Sequence, residues 1–328
     1  MPHQLPRRAV LAGLGAALLT GCTIPGTGRP HLMPPATGTG SPAPLPTPSA
    51  TVTAANGPVV VPVRPVRVVA LDTAELDSAM TLGITPVGAA KAPLDGGLPS
   101  YWPVSRLAQV APVGDVGAAD LDRIAALDPQ LILGNQTRDG ARYDALTRIA
   151  PTVLGQGAGA PWKDAFQLHA AALDRHEQAA AVVGAYGRHV AQAVQAIGAA
   201  GSGGRRISVV RFVEGSPGIR LYGRGSFIGT VLADLQLGRP DAQNVDRAEV
   251  EVTLDQLAQA DGDFLFHSTY GDPDRSGATA VLAGPAWQAL GAVKAHRAFP
   301  VEDQLWFEGI GYTGANLVIA EIQRSLGG

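Results

Sequence analysis

The side chains best suited to hold an oxygen-rich ligand sit just beyond short apolar runs. Asn135, Gln136 and Arg138 follow Leu131-Ile132-Leu133, and Arg211 and Phe212 follow Ile207 to Val210. His267, Ser268, Thr269 and Tyr270 follow Phe264 to Phe266, and Asp303, Gln304 and Trp306 follow Phe299 to Val301. Tyr101 and Trp102 close the loop that starts at Gly96, while Arg220, Tyr222 and Arg224 come after the Pro217-Gly218 turn. If the runs are strands of an open α/β sheet, these positions lie where ligands bind, beyond the carboxyl ends of the strands. Arginine there offers paired N–H donors to anionic oxygens, and Tyr or Trp offers flat amphipathic surface. Arg138, Arg211, Tyr222, Trp306, Tyr101, Trp102 and Tyr270 are therefore the candidate ligand-binding residues.

Each has a plainer alternative. Arg211 suits an inter-lobe salt bridge, Arg138 a solvated loop charge, and Trp306 a core aromatic under a loop. Tyr101 and Trp102 suit a capped hydrophobic cluster, and Tyr222 suits packing beside its turn. Only their convergence on strand ends argues for a site.

The sequence nominates no catalytic residue. It has no Gly-x-Ser-x-Gly elbow, no His-Glu-x-x-His and no phosphate-binding Walker loop. An extracellular hydrolase would need a nucleophile–base pair, which is not evident. His169, His176 and His189 fall on helical patterns with polar faces, and His267 alone sits at a strand end. One histidine without acidic or imidazole neighbours makes a poor metal site, so neither a metal site nor a resident cofactor is expected.

The elements that must carry these residues alternate. Val66 to Leu71 reads as a buried strand followed by a helix to Gly83. Ile84 to Ala89, Leu131 to Leu133 and Pro151 to Leu154 read as further strands, with helices at Leu121 to Leu127 and Tyr143 to Ile149. Such βα alternation predicts a parallel sheet covered on both faces. Asp174 to Ala200 is different: Ala-rich, free of proline, and apolar at Val182, Val183, Tyr186, Val190, Val194 and Ile197. It predicts one helix about as long as a whole lobe, roughly 35–40 Å. Alternation resumes at Ile207. The expected fold class is α/β, with an N-terminal lobe over 59–173, a connecting helix over 174–200 and a C-terminal lobe over 201–328.

The chain has 328 residues, with 25 Lys+Arg against 28 Asp+Glu and a formal charge of −3. That balance provides no basic excess for nucleic acid. A single Cys rules out an internal disulfide or a cysteine zinc cluster. That Cys22 closes an export signal: Arg7 and Arg8, an apolar stretch from Ala9 to Leu19, then Thr20-Gly21-Cys22. The pattern resembles the bacterial lipobox, which predicts a signal peptide over 1–21 and lipidation at Cys22. The Arg pair is compatible with either twin-arginine or general export. Thr23 to Pro58 is rich in Gly, Pro, Ser and Thr; with Cys22 it predicts a disordered tether over 22–58.

Several stretches resemble the iron–siderophore substrate-binding proteins of ABC importers. Arg67-Val-Val-Ala-Leu-Asp-Thr-Ala-Glu75-Leu, then Leu82-Gly-Ile-Thr-Pro-Val-Gly88, is similar to their first βαβ unit. Val113-Gly-Asp, then Asp120-Leu-Asp-Arg-Ile-Ala-Ala-Leu-Asp-Pro-Gln-Leu-Ile-Leu-Gly134, is similar to a second signature. Asn135-x-x-Arg138, Val210-Arg-Phe212, Arg220-Leu-Tyr-Gly and Trp287 to Trp306 extend the match, which covers residues 66 to 327.

The resemblance implies two Rossmann-like lobes joined by one long rigid helix, the class III arrangement, with a shallow cleft between them. It implies a monomeric, non-enzymatic, lipid-anchored receptor on the outer face of the bacterial cytoplasmic membrane. Its partners would be a ferric siderophore, of hydroxamate type, and an ABC permease and ATPase complex; nucleic acid is not among them. The metal arrives already coordinated. Arg138, Arg211 and Tyr222 would touch the ligand, with Trp306, Tyr101 and Trp102 as aromatic walls. Glu75 would dock to the permease from the first lobe, and Asp234 from the second. Haem or cobalamin receptors of the same fold are alternatives, haem requiring His267 or a Tyr as axial ligand. A further alternative is an accessory lipoprotein without transport function.

Overall fold

The structure, a computed structural model, describes residues 48–157, 159 and 161–327. The leader, Cys22 and the tether up to residue 47 lie outside the described residues. Where the tether was expected to continue to residue 58, the chain instead forms an antiparallel hairpin of β1 (Ser49–Ala54) and β2 (Gly57–Pro62). Val52, Val59 and Val61 turn inward while their neighbours face out. The turn needs Gly57, whose φ of 98° lies in the left-handed region open to glycine. Asn56 fixes the hairpin to the first lobe by accepting from the Leu154 N–H at 3.1 Å, and the Ala55 N–H donates to the Leu154 carbonyl at 2.9 Å.

The first lobe is built on six strands: β3 (Val68–Ala70), β4 (Gly88–Lys91), β5 (Ala111–Asp115), β6 (Ala118–Ala119), β7 (Leu131–Asn135) and β8 (Thr152–Gly155). Their order is β6-β5-β4-β3-β7-β8, all parallel except β6. Every residue of β7 is buried, as a strand covered on both faces requires. The order reverses at β3, so the switch point lies between the ends of β3 and β7, at Asp72 and Asn135. The second lobe holds β9 (Ile207–Val213), β10 (Ile219–Tyr222), β11 (Glu249–Val252), β12 (Phe264–Tyr270) and β13 (Ala298–Pro300), in the order β11-β10-β9-β12-β13. Here β9, β12 and β13 are parallel, β10 runs against them, and β11 runs antiparallel to β10. Arg211 and Tyr270 emerge at the same end of β9 and β12.

Five helices of eight or more residues are described: α1 (Thr73–Thr81), α2 (Trp162–Ala172), α3 (His176–Ala199), α4 (Phe227–Asp234) and α5 (Tyr312–Gly327). The long α3 connects the two sheets. It is not alone at the joint, because α5 returns from the end of the second lobe to pack on both α3 and α1. Tyr312, at the start of α5, meets Trp162, Phe166 and Tyr186 edge to face at 4.7 to 5.1 Å between ring centroids. Asp77 of α1 accepts from the Gly314 N–H at 3.2 Å, and the Thr81 and Thr313 hydroxyls meet at 2.7 Å. Gly311 is forced by this closeness, since a Cβ there would overlap the Asp77 carboxylate. A joint filled with aromatic rings and buried polar contacts resists bending more than a bare helix would.

Candidate functional site

At the end of β3 and β7 the first lobe offers a compact polar cluster. Asp72 caps α1 by accepting from the Thr73 N–H at 2.7 Å. Its other oxygen accepts from Asn135 Nδ2 at 2.9 Å and pairs with Arg138 at 3.2 Å. The Arg138 head is the exposed member. The plainer reading of a purely solvated charge therefore fails, because Arg138 is oriented by a buried carboxylate.

On the second lobe Arg211 is almost wholly buried. It donates to Asp303 through Nε at 2.9 Å and Nη2 at 2.5 Å, to Glu308 at 3.1 Å, and to the Tyr222 hydroxyl at 3.3 Å. Its plane is flanked by Tyr270 at 4.5 Å and Phe307 at 4.6 Å. Burial works against its charge, but Tyr222, Asp303 and Glu308 more than offset that, so the guanidinium is held firmly protonated. Arg220 lies directly opposite Arg211 across the β9–β10 pairing and binds Glu249 at 3.3 Å and Glu251 at 3.4 Å. Burial pushes the Glu308 carboxyl up, with Arg211 pulling it part of the way back.

These groups meet over a divided cleft. A cavity of about 220 Å³ lies toward α4, with Ser226, Phe227, Ile228, Glu249, Phe307 and Ile310 in its lining. A second of about 470 Å³ lies toward Ala92, Pro93, Val116, Gly117, Val213 and Tyr270. Arg138, Arg211, Arg220 and Glu308 line both. Hydrogen bonds cross beside it: the Leu94 N–H donates to the Tyr270 hydroxyl at 3.0 Å, and Gln304 accepts from the Ser100 N–H at 3.0 Å while donating to Asp95 at 2.9 Å.

Of the expected site residues, Arg138, Arg211, Tyr222 and Tyr270 line this cleft. Trp306 touches its floor but is fully buried, stacked on Phe266 at 4.7 Å, with its indole N–H donating to Glu321 at 2.6 Å. It is a core residue, and Phe307 supplies the wall expected of it. Tyr101 and Trp102 are not cleft walls either. The Tyr101 hydroxyl donates to Asp77 at 3.0 Å, and Trp102 packs with Leu76, Met80 and Val110.

Glu75 cannot reach a permease in this structure, because it is buried 3.8 Å from the ring of His169. Asp234 is similarly occupied, by Lys163 at 2.6 Å and the Tyr186 hydroxyl at 2.6 Å. His267 lies against Trp287, ring centroids 5.0 Å apart, and does not line the cleft. Arg220, Glu308 and Phe307 complete the site; Arg220 was visible in the sequence beside Tyr222, whereas nothing local marks Glu308. Among the described residues no group of three or more His, Cys, Asp or Glu could hold a metal ion.

Two α/β lobes, a long connecting helix and a cleft of arginines and aromatic rings define a binding protein of the class III substrate-binding type. Residues 68–305 match the periplasmic binding protein family, and the chain belongs to it. It is 30% identical to the probable siderophore-binding lipoprotein YfiY of Bacillus subtilis, across 80% of this chain and 83% of that one. It is 28% identical to the Fe(3+)-citrate-binding protein YfmC of the same organism, across 75% and 76%. The crystal structure of Staphylococcus aureus SirA complexed with staphyloferrin B superposes with a TM-score of 0.76 at 25% identity, covering 84% of this chain and 98% of SirA.

Proposed function

We propose that this protein is an extracytoplasmic receptor that takes a ferric siderophore into the inter-lobe cleft and presents it to an ABC importer. The observation that carries the reading is the meeting of Arg138 from one lobe with Arg211 and Arg220 from the other over the same cavities. Relatives named for siderophore or ferric citrate binding support the cargo. The iron arrives fully coordinated, so the protein contributes donors and walls, holds no metal or cofactor of its own and catalyses no reaction. Lipidation of Cys22 would hold it as a monomer at the outer face of the cytoplasmic membrane, with the segment before β1 as its tether. Quenching of intrinsic tryptophan fluorescence by ferric siderophores, absent with the iron-free ligands and with haem and cobalamin, is the expected result. Saturable binding of haem or cobalamin with no response to any ferric siderophore would defeat the reading.

A further inference from the structure

Tyr101 and Trp102, which are not cleft walls, root a strap that crosses from one lobe to the other. Residues 92–102 leave β4 at Lys91, which pairs with Asp115 at 2.9 Å. They return to the first lobe through Tyr101, held by Asp77 at 3.0 Å, and the buried Trp102. Between these roots the second lobe holds the strap. The Leu94 N–H donates to the Tyr270 hydroxyl at 3.0 Å. Gln304 uses both ends of its amide, accepting from the Ser100 N–H at 3.0 Å and donating to Asp95 at 2.9 Å. Gly271 lets the strap come close: its φ is 85°, and a Cβ there would lie 3.0 Å from Leu94 Cδ1.

The strap is a partition. The cavity of about 470 Å³ has Ala92, Pro93, Arg211 and Tyr270 in its lining. A further hollow of about 640 Å³ is lined by Leu94, Asp95, Ser100, Asp303, Gln304 and again Tyr270, with the exposed Asp272 and Arg275 at its rim. Tyr270 therefore serves both spaces, its ring 4.5 Å from the Arg211 guanidinium and its hydroxyl carrying the strap. The bonds that join the lobes elsewhere, from Lys163 to Asp234 and from Gly314 and Thr313 to Asp77 and Thr81, involve none of these residues. The strap can part while the lobes stay joined. Two hydrogen bonds of ordinary net worth leave an open form at roughly the per cent level, which slows passage without sealing it. We propose that residues 92–102 gate this mouth of the cleft and that Gln304, as a positioning residue, holds the gate shut. It sets how fast cargo passes between cleft and hollow, and how tightly cargo is held is left to the cleft. The cargo role rests on the receptor reading; the gate itself does not.

Three variants of the full-length chain, purified in mild detergent, separate the possibilities. Gln304→Leu removes both bonds. Gln304→Glu keeps the bond from Ser100 but sets a second carboxylate against Asp95. Adding Asp95→Asn to Gln304→Glu restores both bonds, with the donor now at position 95. Each is mixed with ferric citrate, ferric staphyloferrin B and ferrichrome in stopped-flow tryptophan fluorescence, and followed by hydrogen exchange without ligand. Gln304→Leu and Gln304→Glu should speed both association and dissociation about tenfold for each complex that binds wild type, with Kd changed less than about threefold. Exchange at Leu94 and Ser100 should rise in the same two variants, and the double variant should return rates and exchange to wild type. Unchanged rates, a Kd that shifts at an unchanged association rate, or no rescue in the double variant would overturn the gate and leave the receptor reading intact. If none of the three complexes binds wild type, the receptor reading falls and the cargo role of the gate falls with it.

Discussion

The Arg211 guanidinium and the Asp303 carboxylate are joined by two parallel hydrogen bonds, Nε to Oδ1 at 2.9 Å and Nη2 to Oδ2 at 2.5 Å. Asp303 also accepts from the Ser268 hydroxyl at 2.6 Å, so β9, β12 and the segment after β13 are fastened at one point. Removing one partner of such a pair strands the other charge in a poorly solvated place, which costs about 3–5 kcal/mol. Arg211→Ala should therefore lower unfolding stability by an amount of that order, and any loss of binding should come with it. Urea denaturation decides the matter: a wild-type midpoint in Arg211→Ala would show that the pair is not structural.

Arg138 is the better probe of ligand contact, because its head group is exposed and its partner Asp72 keeps bonds from Thr73 and Asn135. Arg138→Ala should weaken ferric siderophore binding by about 1.5–3 kcal/mol, the worth of hydrogen bonds to charged groups. Stability should fall by about 1–2 kcal/mol, less than for Arg211→Ala, because the buried Asp72 loses one of its three partners. Equal affinity in variant and wild type would take Arg138 out of the site.

Strand-end logic located Arg138, Arg211 and Tyr270 because parallel strands put their carboxyl ends on one edge, a consequence of topology that alternation already implies. The same logic misread Trp306. Linear position cannot tell a side chain that faces the cleft from one that turns inward, and Glu321, which holds its indole, comes from α5. Glu75 failed for a related reason, since the face of α1 that carries it is covered by α2, whose His169, expected on a polar face, is instead fully buried against it. The hairpin was legible and overlooked: Val52, Asn56-Gly57, Val59 and Val61 form an alternating pattern around a turn, hidden by the surrounding Thr, Ala and Pro.

The lipobox predicts a processing step that can be read directly. Cys22→Ser should leave full-length precursor or release the protein from the membrane fraction. Unaltered processing and membrane retention on fractionation would mean that Cys22 is not the anchor.

Glu75 makes a prediction opposite to that of a docking residue. Burial, reinforced by Asp72, holds its carboxyl well above the usual range, and burial lowers His169 to about 4. His169 is therefore neutral at neutral pH, burial favours the uncharged form of Glu75, and their 3.8 Å separation is too long for a hydrogen bond. Replacing an unfavourably buried acid by its amide should cost little, so Glu75→Gln should leave the Tm within a few degrees, corresponding to less than about 1 kcal/mol, and leave uptake unchanged. Loss of iron uptake at unchanged Tm and unchanged siderophore affinity would instead restore the docking role.

Asp77 ties the joint between the lobes to pH. Burial raises its carboxyl from 3.8 to about 6, against the lowering effect of hydrogen bonds from Tyr101, Gly314, Thr81 and Thr313. Between those two values the folded protein holds a proton that the unfolded chain has released. Its contribution to stability therefore falls as pH rises from about 4 to about 6 and is flat above that. The full linkage is at most about 3 kcal/mol, at 1.36 kcal/mol for each pH unit. His169 and His267, both lowered to about 4 by burial, act in the opposite direction, since they favour the fold as pH rises toward 6.5. A wild-type pH profile would mix these effects, so the useful quantity is the difference between Asp77→Asn and wild type, in which the histidines cancel. Asn still accepts from the Gly314 N–H and can donate to the Tyr101 oxygen. The difference should be near zero at about pH 4.5, where Asp77 is itself neutral, and should favour the variant by about 1–3 kcal/mol above pH 7. Urea unfolding at a series of pH values measures it, and a difference that stays constant with pH would mean that Asp77 does not titrate at the lobe joint.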